Sequence, residues 1–180
     1  MSQDNKIPLA RALELADLLY CDLAPGCKRL EIAGSIRRRK QEVGDIELVG
    51  IPLFGMNLFG DPSENLLLPI LANLCDRGLL SLVKGGKKYR QYIMPWHGDC
   101  KLDLFLCSLK TWGAIFTIRT GPAEFSKRLV TQRQHGGLMP SHLHEKHGRL
   151  WNDTKALETP EEQDFFAALG IDWIEPWDRK

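Results

Sequence analysis

The sequence predicts an α+β fold in two parts, and three observations lead there. Apolar residues recur at helical spacing in some segments and alternate at strand spacing in others. Helix and strand patterns interleave, with no internal repeat and no low-complexity linker. The charge pattern also changes near residue 110: residues 110–149 hold seven Lys/Arg and two Asp/Glu, whereas 151–180 hold three and eight. We therefore expect a mixed helix-and-strand domain over 1–110 and a smaller domain over 111–180. A chain of 180 residues can bury a core without staples.

Taken in order, residues 7–23 place Leu9, Leu13, Ala16, Tyr20 and Leu23 on one helical stripe. Residues 28–33 alternate, with Leu30 and Ile32 on one side, and predict a short strand. The basic run Arg37-Arg38-Arg39-Lys40 follows a Gly34-Ser35 turn. DIELVGI, 45–51, predicts a second strand, 52–63 a Gly/Pro-rich loop, and 64–77 a helix closed by Gly78. Strands are expected over 79–84, 88–94 and 100–107, the first two joined by the basic turn KGGKKYR. Beyond it, 112–118 and 122–134 predict helices broken by Gly121-Pro122. Residues 138–151 predict a hairpin, and 160–169 a short helix opening at Pro160.

Composition narrows the classes. A net charge of +1 with 43% hydrophobic residues excludes a disordered chain, a collagen-like fibre and a disulfide scaffold. It also argues against a uniformly basic coat for nucleic acid, while leaving local patches open. Five cysteines, an odd number without CxxC spacing, fit free thiols in a reducing compartment. The N-terminus lacks a secretory layout, and the apolar stretch 43–75 is interrupted by Pro52, Gly55, Gly60, Pro62 and Pro69. These features predict a soluble, cytoplasmic, monomeric protein with no membrane partner.

Candidate chemistry concentrates in AGSIRRRKQEVGDIELV, 33–49. On a strand, Asp45 and Glu47 share one face, with Ile46 and Leu48 on the other. Adjacent carboxylates repel, and holding a divalent cation relieves that repulsion; hard oxygen donors suit Mg2+. D-x-E alone is equally the pattern of an amphipathic edge strand with solvated acids. In CKLDLFLC, 100–107, Asp103 lies between leucines, a poor place for a solvated acid. It pairs either with Lys101 or another base, or with a metal shared with Asp45 and Glu47. Three such carboxylates can hold two metals about 3.5–4 Å apart. Gly34-Ser35 offers backbone N–H groups and a hydroxyl to phosphate oxygens, and Arg38 is suited to a terminal phosphate. Singly, GS is a common turn and RRRK a solvated basic face; the ordered combination of strand, GS turn, D-x-E strand and later Asp strand is far more specific.

GSIRRRKQEVGDIELVG followed by KLDLFL resembles the nucleotidyltransferase palm of DNA polymerase family X, the polymerase beta kin. RTGPAEFSKRLVTQRQHGG resembles that family's nucleotide-binding subdomain, and TPEEQDFFAALGIDWIEPWDR its closing helix and tail. The resemblance implies a palm with a mixed sheet and helices on one face, followed by a small α/β C-terminal subdomain. It implies that Asp45, Glu47 and Asp103 bind two Mg2+, with Mn2+ as a substitute, and that Asp103 lies nearest the primer 3′-hydroxyl. Gly34, Ser35, Arg38 and Gly44 would hold the triphosphate. Ile118 and Gly121 would lie at the incoming sugar, Ser126 at the nucleobase edge, and Lys101 near the primer terminus. The implied activity is DNA-directed synthesis, adding dNMP from dNTP to a primer 3′-OH with release of pyrophosphate in short-gap repair. Its partners would be a primer-template or gapped DNA. A template-independent or small-molecule nucleotidyltransferase would use the same metal site, and a degenerate palm would bind nucleic acid without chemistry.

The sequence departs from the family pattern in places. Glu47 stands where family polymerases usually carry Asp, and Ile118-Arg119 stand where two aromatics are usual. Val130 stands where relatives place an Arg against the template, a role that Arg128 or Arg133 on the same predicted helix would take. Lys84, Lys87, Lys88 and Arg90, laced with Tyr89 and Tyr92, form either a DNA-backbone contact or a solvated hairpin tip. Lys127, Arg128 and Arg133 belong to the basic stretch 110–149, which has the same two readings. His135, His142, His144 and His147 have weak zinc-like spacing and are expected on a hairpin facing solvent or nucleic acid. Trp151, Trp173 and Trp177 are expected in the core.

Overall fold

Leu- and Ala-rich residues after Pro8 begin a helix where the sequence expects one. In the computed structural model, which describes residues 6–56 and 62–180, β1 (Ile7–Pro8) precedes α1 (Leu9–Leu23). Then come β2 (Cys27–Ile32), a single turn α2 (Gly34–Arg37), β3 (Glu42–Val43), β4 (Asp45–Pro52), β5 (Phe54–Met56), β6 (Pro62–Asn65), α3 (Leu67–Asp76), β7 (Ser81–Gly85), β8 (Tyr89–Met94) and β9 (Cys100–Leu106). The remainder holds α4 (Trp112–Thr120), α5 (Ala123–Val130), β10 (Leu143–Lys146), β11 (Arg149–Asn152), β12 (Lys155–Ala156) and α6 (Glu162–Ala168). The chain divides into two compact units, Met1–Cys107 and Ser108–Lys180.

The first unit is built on a five-stranded mixed sheet in the order β2-β4-β9-β8-β7. β4 and β9 run parallel, and the other neighbours are antiparallel. Helices α1 and α3 bury their apolar sides in one core with Ile46, Leu48, Leu102, Leu104 and Tyr92. One face of the sheet is therefore the helix-covered face, and the α+β class is as the sequence predicts. The second unit has its own core, in which Phe125, Leu129, Leu143, Leu150, Phe165 and Phe166 join α5, the small β10-β11-β12 sheet and α6. Its tail is fastened by Arg179, whose side chain is fully buried. Nη1 donates to Glu162 Oε1 at 2.9 Å and Nε to the Ile174 carbonyl at 3.0 Å, while the guanidinium lies 5.2 Å from the Phe166 ring and 5.0 Å from Trp173.

Several expectations need correcting. The α1 stripe is rotated: Ala12, Leu15, Ala16, Leu19 and Leu23 are buried, whereas Leu13 and Tyr20 are exposed. A helix with leucines on more than one side does not disclose which side faces the core. The segment predicted as loop, 52–63, contributes to β5 and β6, paired antiparallel; residues 57–61 lie outside the described residues, as do residues 1–5. The helix expected from 64 starts at Leu67, whose N–H donates to Asn65 Oδ1 at 3.0 Å. The helix expected over 122–134 ends at Val130. The Leu138 N–H takes the Arg128 carbonyl at 2.7 Å, and Thr131 turns to extended backbone. Arg133 is therefore not on the helix of Arg128. Trp173 packs against the second core, Trp151 is half-buried, and Trp177 is exposed.

Candidate active site

The candidate site begins with strand register. In the parallel pairing of β4 with β9, Glu47 lies opposite Asp103 and Asp45 opposite Lys101. Ile46 and Leu48, and across from them Leu102 and Leu104, occupy the helix-covered face. Period-two alternation therefore sets Asp45, Glu47, Lys101 and Asp103 together on the other face. The three acids are half-buried and Lys101 is exposed.

The turn after β2 reaches the same place. The Ala33 N–H donates to the Glu47 carbonyl at 2.8 Å, which ties the start of α2 to β4. Gly34 has φ +60°, and a Cβ there would collide with the Glu47 carboxylate, so glycine is required on two counts. The Ser35 hydroxyl is buried and has no hydrogen-bond partner among the described residues, an orphaned group facing the need for an acceptor or donor. Burial lowers the pKa of the Arg38 guanidinium, and the charges of Glu47 and Asp45 push it back up. Arg38 thus sits within electrostatic reach of both acids. Gly44 is exposed, and a Cβ there would meet nothing within 4 Å.

Asp103 is held from β8. Tyr89 Oη donates to Oδ1 at 2.9 Å, and Gln91 Nε2 donates to the same oxygen at 2.8 Å. Gln91 lies directly opposite Asp103 in the antiparallel β8–β9 pairing, and Tyr89 opposite Phe105, on which its ring stacks at 5.1 Å. No ion pair joins Asp103 to Lys101 among the described residues. Sequence reasoning missed Tyr89 and Gln91 as partners of Asp103. The signal was the YRQY alternation of the neighbouring strand, which points to the face of Asp103 only once the register is known.

The same register sets Arg90 on the other face. It lies opposite Leu104, on the helix-covered face, and its Nε donates to the Tyr92 hydroxyl at 2.8 Å. Tyr92 is buried in the core. Neither belongs with Lys84, Lys87 and Lys88, which are exposed along the β7–β8 hairpin. Lys84 takes the register position opposite Gln91.

The candidates of the second unit are arranged separately. Ile118 is half-buried on α4, and its carbonyl accepts the Ser126 hydroxyl at 2.6 Å. Gly121 sits at the α4–α5 junction, where a Cβ would stand 2.7 Å from Phe125 and 2.8 Å from Ser126 Oγ. Lys127 and Arg128 are exposed on α5. Arg133 donates from Nη2 to the Leu169 carbonyl at 2.7 Å and from Nε to that of Leu138 at 3.2 Å, so its guanidinium is engaged inside this unit. His135, His142, His144 and His147 are all exposed.

As the side chains stand, no group of three or more His, Cys, Asp or Glu among the described residues is gathered tightly enough to hold a metal ion. The donor set nevertheless has the chemistry a hard dication takes: carboxylate oxygens only, on rigid neighbouring strands, beside a buried hydroxyl lacking a partner. Among the described residues no helix is long and apolar enough to cross a membrane.

No curated protein matches the chain as a relative. Residues 117–180 match the family model of the DNA polymerase beta thumb, so this part of the second unit is similar to that thumb.

Proposed function

We propose that the protein is a DNA-directed DNA polymerase of family X type, adding dNMP from dNTP to a primer 3′-hydroxyl in short-gap repair. The observation that carries this is the β4–β9 register, which sets Glu47 beside Asp103 and Asp45 on one face next to the Gly34-Ser35 turn. The thumb similarity of 117–180 supports the choice of a polymerase over other nucleotidyltransferases.

In this reading Asp45, Glu47 and Asp103 hold two Mg2+, or Mn2+ in its place. The bound ions would activate the attacking hydroxyl and stabilise the leaving oxygens of an in-line displacement. Gly34, through its close backbone approach, and the Ser35 hydroxyl receive triphosphate oxygens. Arg38, within electrostatic reach of both Glu47 and Asp45, is suited to bind a terminal phosphate. Asp103 accepts the proton of the primer 3′-hydroxyl. That oxygen bonds to the α-phosphorus, the bond from the α-phosphorus to the bridging oxygen breaks, and pyrophosphate leaves. Lys101 stands near the primer terminus. Within the second unit, Ile118, Gly121 and Ser126 are read as nucleotide-contacting and Lys127 and Arg128 as DNA-contacting; within the first, Lys84, Lys87 and Lys88 are read as DNA-contacting.

Primer extension with Mg2+ or Mn2+, comparing wild type with Asp103→Ala, tests this. Incorporation by wild type alone, copying the template base, is expected. Equal incorporation by both proteins would discard the assignment, and incorporation indifferent to template would move it to a tailing enzyme with the same site.

A further inference from the structure

The two oxygens of Asp103 are in different situations. Tyr89 and Gln91 both donate to Oδ1, and no hydrogen bond or ion pair among the described residues reaches Oδ2. Both donors project from β8, the strand beside β9, so the contact is set by sheet register and not by a mobile loop. Packing holds Tyr89 as well: its ring stacks on Phe105 with 25° between planes. Both donors are also neutral. They fix the carboxylate in rotation without cancelling its charge, which an arginine or lysine partner would do.

We propose that Tyr89 and Gln91 are positioning residues that clamp Asp103 through Oδ1, so that Oδ2 is the oxygen presented to the reaction. This rests on the polymerase reading above. It has a chemical corollary: in Asp103→Asn the amide oxygen would satisfy the same two donors, leaving an NH2 group where Oδ2 had been. That variant should fold normally and be inert. Tyr89→Phe removes one donor and keeps the stack on Phe105; Gln91→Leu removes the other and keeps similar bulk.

Single-turnover primer extension with Mg2+ is measured for wild type, Asp103→Asn, Tyr89→Phe, Gln91→Leu and the double variant. In parallel, Mn2+ binding with dATP present is titrated by the electron paramagnetic resonance signal of free Mn2+, and Tm is recorded. Residues that orient a metal-binding carboxylate typically contribute about 10–100-fold to affinity or rate. Each single clamp variant is therefore expected to lose about tenfold in rate and to bind Mn2+ several-fold more weakly. The dNTP concentration giving half-maximal rate should stay within about twofold, and Tm within about 3 °C. The double variant should lose no more than Asp103→Asn.

An active wild type and inert Asp103→Asn, alongside clamp variants with unchanged rate and Mn2+ affinity, would overturn the clamp alone. Losses that merely follow Tm would overturn it too, making Tyr89 and Gln91 packing residues. A wild type that neither extends a primer nor binds Mn2+ with dATP would overturn the polymerase reading and the clamp's role together.

Discussion

Asp103 in the first unit and Glu162 in the second are both carboxylates withdrawn from solvent among apolar neighbours, and they are held in opposite ways. Glu162 is 3% exposed and meets at 2.9 Å the Arg179 guanidinium, which lies against the Phe166 and Trp173 rings. Its charge is cancelled where it lies. Asp103 is half-buried, is gripped by two neutral donors, and keeps both its charge and an oxygen. The difference teaches that the partner, and not burial, separates an acid that fastens a fold from one available to a ligand. In sequence Asp103 lies between leucines and Glu162 between polar residues, so neither setting names the partner that tells them apart.

The sharpest way to break this comparison is to neutralise Asp103. Asp103→Asn should lower the rate of primer extension at least about a thousandfold, ~4 kcal/mol of barrier, with Tm nearly unchanged. A rate above a tenth of wild type would place Asp103 with the structural acids. Arg179→Met is the converse experiment. It strands Glu162 as a buried, unpaired charge, which should lower stability by about 3 kcal/mol in denaturant melts. Adding Glu162→Gln should return at least about half of that loss, because the stranded charge is then gone. Gly34→Ala combines a left-handed backbone with a Cβ in the Glu47 carboxylate. We expect about 1 kcal/mol of lost stability but about a tenfold loss of incorporation, since the carboxylate is the flexible partner that must move. The smallest effect separates the two sheet faces. Lys84→Ala should reduce the salt dependence of DNA binding by about one unit of slope, and Arg90→Ala, on the helix-covered face, should leave that slope unchanged.

Legibility in the sequence followed the physics of each element. Asp45 and Glu47 could be assigned to one face, and Asp103 to the face away from its flanking leucines, because Ile46, Leu48, Leu102 and Leu104 are buried while the acids beside them are not, which writes a period of two into these stretches. The α1 stripe could not be read as well, since the exposed Leu13 and Leu18 are as apolar as the leucines that are buried. Arg90 was grouped with its basic neighbours as a block, although strand alternation sends it away from Tyr89 and Gln91 to Tyr92. The end of α5 depends on the Leu138 N–H arriving from beyond the helix, a tertiary contact that no local propensity records. The donors to Asp103 were hidden for a related reason: which strand lies beside β9, and in what register, is a property of the assembled sheet.

The parallel pairing of β4 with β9 has a kinetic consequence. Parallel neighbours cannot be joined by a tight turn; the intervening chain, which includes α3 and the β7–β8 hairpin, must carry back to the same end of the sheet. Such non-local closure is a slow event in folding. A partly collapsed first unit that lacks this pairing keeps Asp103 apart from Asp45 and Glu47, and on the proposed reading dication capture should require the pairing to have formed.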